Sequence, residues 1–198
     1  TSTTTRTIAI GDVDEFNVTT PVDSNSASNG VNEDAANGTA VGIVASAFDA
    51  DATTNVVNYT LTDNAGGRFA IDPVTGMVTI LNNALLNREM DRTHTITVRA
   101  TSADSSIAEQ SFLINIYDVD EFDTTPVVDL NSANDRVDEN ASNGSVVGLT
   151  AYAIDSDDTN NTITYSLDDD ANGRFAIDTN TGVVTVSDGS QLDYEDAI

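Results

Sequence analysis

The chain has no cysteine, no tryptophan, no lysine and one histidine. Without cysteine there are no disulfides, no thiolate metal sites and no thiol nucleophile, so redox chemistry gives no clue to the compartment. Without tryptophan there is no indole platform for stacking. No apolar run approaches the roughly 18 residues of a membrane-spanning helix. The opening Thr1-Ser2-Thr3-Thr4-Thr5 lacks both a basic region and an apolar stretch. Positive charge is also scarce: seven arginines face 26 Asp and seven Glu, a net charge of -26 and a pI near 4.1. A field of this sign repels phosphate, which excludes nucleic acid and anionic membrane surfaces as partners. Cations are the natural partners, and short carboxylates suit fixed oxygen cages for hard ions. An acidic, lysine-free surface also keeps a protein soluble in salty water, and composition leaves both readings open.

Internal repetition is the strongest positive signal. Asp12-Val13-Asp14-Glu15-Phe16 recurs unchanged as Asp118-Val119-Asp120-Glu121-Phe122, 106 positions on. Residues 31–80 align without a gap to 137–186, with 27 of the 50 positions identical. A period near 100 residues is the size of a self-sufficient domain, so the expected architecture is beads in a row. The expected divisions are 1–16, the last strand and linker of a preceding repeat; 17–122, a complete repeat; and 123–198, a second repeat lacking its last two strands. On this reading the chain is a piece of a longer tandem array.

Period-two alternation predicts strands. His94, Ile96 and Val98 fall on one face, with Thr93, Thr95 and Thr97 on the other, and Phe112, Ile114 and Ile116 alternate likewise. Further short strands are predicted over 41–48, 56–61, 69–71 and 77–81, and no helical stripe longer than a turn near 84–88, with Asn-Gly, Gly-Gly and Thr-Gly turn signals between elements. About seven strands in about 100 residues is the pattern of an all-β, immunoglobulin-like sandwich. The acids gather at strand ends and in the inter-repeat segment: Glu33, Asp49, Asp51, Glu89 and the run Asp118 to Glu121. Several carboxylates within a few ångströms need a cation to stay ionised together. An oxygen-only set selects Ca²⁺ or Mg²⁺, and many ligands from flexible loops favour Ca²⁺.

These motifs resemble cadherin repeats, particularly the tandem cadherin-like modules of large bacterial surface adhesins. They are Val31-Asn32-Glu33 and Val137-Asp138-Glu139, Asp49-Ala50-Asp51 and Asp155-Ser156-Asp157, Leu86-Asn87-Arg88-Glu89 and Leu192-Asp193-Tyr194-Glu195, and the linker Asp118 to Phe122. The resemblance implies tandem seven-stranded cadherin-type sandwiches with calcium at the junctions. It assigns Glu33, Glu89, Asp118, Asp120, Glu121, Asp155 and Asp157, with the backbone carbonyl of Val119 and one near Asn160, to one junction. It assigns Asp12, Asp14, Glu15, Asp49 and Asp51 to a junction before the first complete repeat, and Glu139, Asp193 and Glu195 to a third. Departures are Asn87 for the usual Asp, Glu121 and Phe122 where animal members carry Asp and Asn, and Ser102 at a strand end where the family carries Asp, the nearest aspartate being Asp104. One to three ions per junction are compatible with that set.

Other polar residues have simpler readings. Asp72 and Asp178 precede Thr-Gly turns and are expected to cap them. His94 is expected to be a packed structural residue, and Arg68 and Arg174 to make local ion pairs of little energetic weight. No hydrolytic triad or acid-pair cleft recurs with the repeat, so no enzyme activity is expected. The expected function is a calcium-dependent structural or adhesive module of a long extracellular, cell-surface protein, in which Ca²⁺ stiffens the junctions between neighbouring repeats. Alternatives are a homophilic or ligand-binding adhesion surface, for which the Thr93, Thr95 and Thr97 ladder is the candidate, and a subunit of a surface filament assembled by strand addition.

Overall fold

The structure, a computed structural model, describes residues 3–195. The chain divides into two compact units between Val119 and Asp120. In the first unit, β1 (Val22–Asp23), β3 (Ala40–Ser46), β6 (Met77–Ile80) and β5 (Phe69–Ile71) form one sheet in that order. The other sheet runs β2 (Gly30–Asn32), β8 (Ile107–Tyr117), β7 (Thr93–Ser102) and β4 (Val57–Asp63). The first strand of the sequence pattern is split: β1 pairs antiparallel with β3, then the chain crosses and β2 pairs parallel with β8. The seven-strand expectation therefore appears as eight short pieces in two sheets.

Alternation decides which face is buried. On β7, His94, Ile96, Val98, Ala100 and Ser102 point inward while Thr93 and Thr95 face solvent, and β8 answers with Ile114 and Ile116. Val41, Ile43, Phe69, Val78 and Ile80 complete the core from the facing sheet. Each such side chain contributes roughly 1.5–3 kcal/mol by leaving water.

His94 lies in this core, its ring centroid 6.1 Å from that of Phe69. Its Nε2 is buried without a hydrogen-bond partner among the described residues. Burial, and then the charge of Arg68, hold its pKa below the ordinary value of 6.5. The folded state thus binds this proton less readily than the unfolded chain, so the contribution of His94 to stability is complete above about pH 6.5 and declines as pH falls below it. Melting curves between pH 7.5 and 5.5 should show a falling midpoint whose slope is shallower in His94→Phe; identical slopes would remove His94 as the cause.

The second unit contains one sheet among the described residues: β9 (Val128–Asp129), β10 (Val146–Tyr152), β12 (Val183–Val186) and β11 (Phe175–Ile177), in the order β11-β12-β10-β9. It repeats the β1-β3-β6-β5 sheet of the first unit. Phe175 is half-buried where its counterpart Phe69 is 1% exposed. Residues 3–16 carry no strand, and Ile8 and Ile10, counterparts of the fully buried Ile114 and Ile116, are exposed.

The arginine expectation needs correction. Arg68 donates to the Leu85 and Ala65 carbonyls, both at 2.9 Å, and Arg174 donates to the Gln191 and Ala171 carbonyls at 3.0 and 2.7 Å. Among the described residues, the ion pair that these two arginines make is a loose 4.0 Å approach of Arg68 to Asp91. The guanidinium fork matches two converging carbonyls of the adjoining turns, so it pins backbone rather than a carboxylate. Asp72 and Asp178 do cap their turns: each Oδ1 accepts two backbone N–H groups, from Val74 and Thr75 and from Asn180 and Thr181. Those bonds hold both aspartates below the ordinary carboxylate pKa.

Candidate metal centre

The parallel register of β2 on β8 builds the first acidic group. Val31 lies opposite Ile116 and Asn32 opposite Tyr117, so Glu33 emerges beside Asp118. The Glu33 amide donates to the Tyr117 carbonyl at 3.1 Å, and its carboxylate, though only 4% exposed, accepts from the Val119 amide at 3.0 Å and the Arg88 amide at 2.5 Å. Glu33 thereby ties the end of β8 to the 86–89 segment. Carboxylate oxygens of Glu33, Glu89 and Asp118 lie within 4.8 Å of one another. The second unit repeats the device: Glu139 accepts from the Tyr194 amide at 3.1 Å, and oxygens of Glu139, Asp193 and Glu195 lie within the same 4.8 Å.

A second acidic group in the first unit forms beyond the opposite end of β8. Asp51 is 3% exposed and its two oxygens accept from the Glu15 and Phe16 amides, each at 3.1 Å. Asp49, 1% exposed, accepts from the Asp51 amide at 3.1 Å. Oxygens of Asp14, Asp51 and Asp104 lie within 4.8 Å of one another. Burial, then the Asp104 charge and the bonded, charged Asp51, raise the pKa of Asp14.

The same framework recurs in the second unit. Asp157 accepts from the Glu121 amide at 3.0 Å and the Phe122 amide at 3.1 Å, and its own amide donates to Asp155 at 3.3 Å. The charge of Asp157, then burial, raises Asp120. Burial pushes Asp157 up as well, but the Glu121 and Phe122 amides outweigh it and hold Asp157 low. A shared anionic site of this kind stores repulsion that a cation relieves.

Of the residues expected from sequence, Glu33, Glu89 and Asp118 converge in the first unit, and Asp120, Asp155 and Asp157 in the second. Asp14, Asp49 and Asp51 also meet, whereas Asp12 accepts from the Thr53 hydroxyl at 2.6 Å. Val119 and Glu15 contribute backbone N–H groups to Glu33 and Asp51, and Glu121 does the same for Asp157. Asp104 was not among the expected ligands; its sequence signal is that it is the aspartate nearest Ser102. The donor sets are all oxygen, and one buried oxygen, Asp49 Oδ2, has no hydrogen-bond partner among the described residues. Hard, short, multidentate donors of this kind fit Ca²⁺.

Residues 28–117 and 134–197 match the Cadherin domain family. The chain belongs to this family. Human protocadherin-11 X-linked is 31% identical over 140 residues, which is 70% of this chain and 10% of that protein. A solved structure of mouse cadherin-23 EC22-24 superposes with a TM-score of 0.65 at 29% identity, covering 89% of this chain and 56% of that one. Protocadherin Gamma B2 extracellular cadherin domains 3-6 give a TM-score of 0.72 at 19% identity over 90% of this chain and 44% of that one, which shows the shared fold. The chain therefore spans a small fraction of its curated relatives. Cadherin domains are modules of adhesion proteins, not enzymes, and bind Ca²⁺ in general. Among the described residues no helix is long and apolar enough to cross a membrane.

Proposed function

We propose that this chain is a calcium-stiffened spacer within a long extracellular surface protein of the bacterial-adhesin type. Glu33, Glu89 and Asp118 from the first unit, and Asp120, Glu121, Asp155 and Asp157 from the second, are the side chains that would hold Ca²⁺, with the Val119 carbonyl. Asp12, Asp14, Glu15, Asp49 and Asp51 would form the corresponding set at the start of the first repeat. Bound calcium supplies positive charge that lets these acids stay ionised side by side.

The observation that carries the reading is the convergence of Glu33, Glu89 and Asp118 immediately before the point at which the chain passes from one unit to the next. Asp120 follows two residues later, with its pKa already raised by Asp157. Extracellular calcium modules bind at roughly 10⁻⁴ to 10⁻³ M, so stiffening would accompany arrival outside the cell. The lysine-free, strongly acidic composition and the tandem repetition support an array exposed to a salty medium.

Small-angle scattering of the chain in EDTA and in millimolar Ca²⁺ tests this. Calcium should narrow the distribution of maximum dimensions, and Asp120→Ala combined with Glu121→Ala should abolish the narrowing while both units still melt cooperatively. An envelope indifferent to calcium would overturn the spacer. A mass that doubles with calcium would instead point to adhesion between like domains.

A further inference from the structure

Strand β7 ends at Ser102. Ser102 is buried, at 4% exposure, and its hydroxyl donates to the Thr54 carbonyl at 2.8 Å. It stands beside Asp49, whose own exposure is 1%. A carboxylate at position 102 would add a third buried charge to those of Asp49 and Asp51, whereas the neutral hydroxyl avoids that cost.

The β7–β8 hairpin supplies a charge from its loop. The Ser102 amide donates to the Ser106 carbonyl and the Ser105 amide donates to the Ser102 carbonyl, each at 3.0 Å, and Ser105 takes a left-handed φ of 78°. The Ser106 hydroxyl accepts from the Val18 amide at 2.9 Å, which ties the hairpin to the start of the repeat. Asp104 Oδ1 accepts from the Ser106 amide at 2.7 Å, and an Asp104 oxygen lies within 4.8 Å of both Asp14 and Asp51.

Beside this trio Asp49 keeps a buried oxygen, Oδ2, with no hydrogen-bond partner among the described residues, while its Oδ1 accepts from Asp51. A buried anionic oxygen left unbonded costs free energy unless something else neutralises it.

We infer that Asp104 is a calcium ligand of this chain, delivered from the hairpin loop to the site of Asp14, Asp49 and Asp51. The inference rests on the calcium reading above and adds to it a residue of the β7–β8 loop. Position 102 holds its neighbours by a hydroxyl bond, and position 104 carries the charge.

Asp104 also caps its own turn through Oδ1, so the test must separate ligand from cap. Asp104→Asn keeps an acceptor for the Ser106 amide and removes the charge, whereas Asp104→Ala removes both. The full chain and both variants are titrated with CaCl₂ by calorimetry and melted in EDTA. Asp104→Asn should melt in EDTA as the parent does, yet lose one calcium or bind it about tenfold more weakly; Asp104→Ala should share that loss and also melt earlier in EDTA. An isotherm for Asp104→Asn identical to that of a calcium-binding parent would overturn the ligand role and leave the calcium reading standing. A parent chain that binds no calcium would overturn both.

Discussion

Millimolar Ca²⁺ should raise the melting midpoint of the chain above its value in EDTA by on the order of 10 °C, while Mg²⁺ at the same concentration should do far less. A ligand that binds only the folded state stabilises it by RT ln(1 + [L]/Kd), about 1.4 kcal/mol for each site at the tenfold excess that millimolar Ca²⁺ gives over a Kd of about 10⁻⁴ M. For a domain of about 100 residues, each kcal/mol moves the midpoint by roughly 4–8 °C. The energy is available because the ion-free fold holds like charges together: Asp14 is raised by Asp104 and Asp51, and Asp120 by Asp157. Mg²⁺ demands a near-ideal octahedron and keeps its waters, so groups of carboxylates held by loops satisfy it poorly. Ionic strength is held constant with NaCl, since a net charge of -26 responds to any salt. Equal shifts with both ions would reduce the acids to a solvated surface and remove the spacer mechanism.

Gly76→Ala should be among the most damaging single changes, costing about 3 kcal/mol or more. The residue sits at φ +71, and a Cβ there would lie 2.1 Å from the Ala45 carbonyl oxygen. Retreat is blocked because the Gly76 carbonyl accepts from the Ala45 amide at 2.9 Å and the Gly76 amide donates to the Asp72 carbonyl at 3.0 Å. Left-handed strain adds to overpacking against fixed backbone. Gly182 reproduces the arrangement, with its Cβ position 2.1 Å from the Ala151 carbonyl oxygen. Gly67→Ala is the control: its φ of +91 carries the same kind of strain, but nothing lies within 4 Å of the added carbon. It should cost about 1–2 kcal/mol. Denaturant midpoints for the two variants measure the difference, and equal losses would mean that the Ala45 carbonyl yields after all.

Much of this was legible because strands and turns are local. The alternation of His94, Ile96 and Val98, the recurrence of Gly67-Arg68-Phe69, and the Asp-Pro-Val-Thr-Gly turn each declare themselves within a few residues, and the 106-residue repeat states every signal twice where it is covered. Glu33 and the Asp49/Asp51 pair could be picked out because they recur at fixed places in each repeat.

The sequence by itself determined an all-β repeat with acids at its strand ends, because side-chain parity and turn chemistry depend on near neighbours. Only the tertiary structure decided which acids meet. Glu33 reaches Asp118 through a parallel β2–β8 register spanning more than 80 positions, and Asp51 fastens the amides of Glu15 and Phe16 from 36 and 35 residues away. Arg68 turned to carbonyls because the neighbouring turns present two of them to its planar fork. Asp104 joined Asp14 and Asp51 because the path of one hairpin loop carried it there. Such meetings depend on register and loop geometry, which are set by the packing of the whole sandwich rather than by the residues on either side.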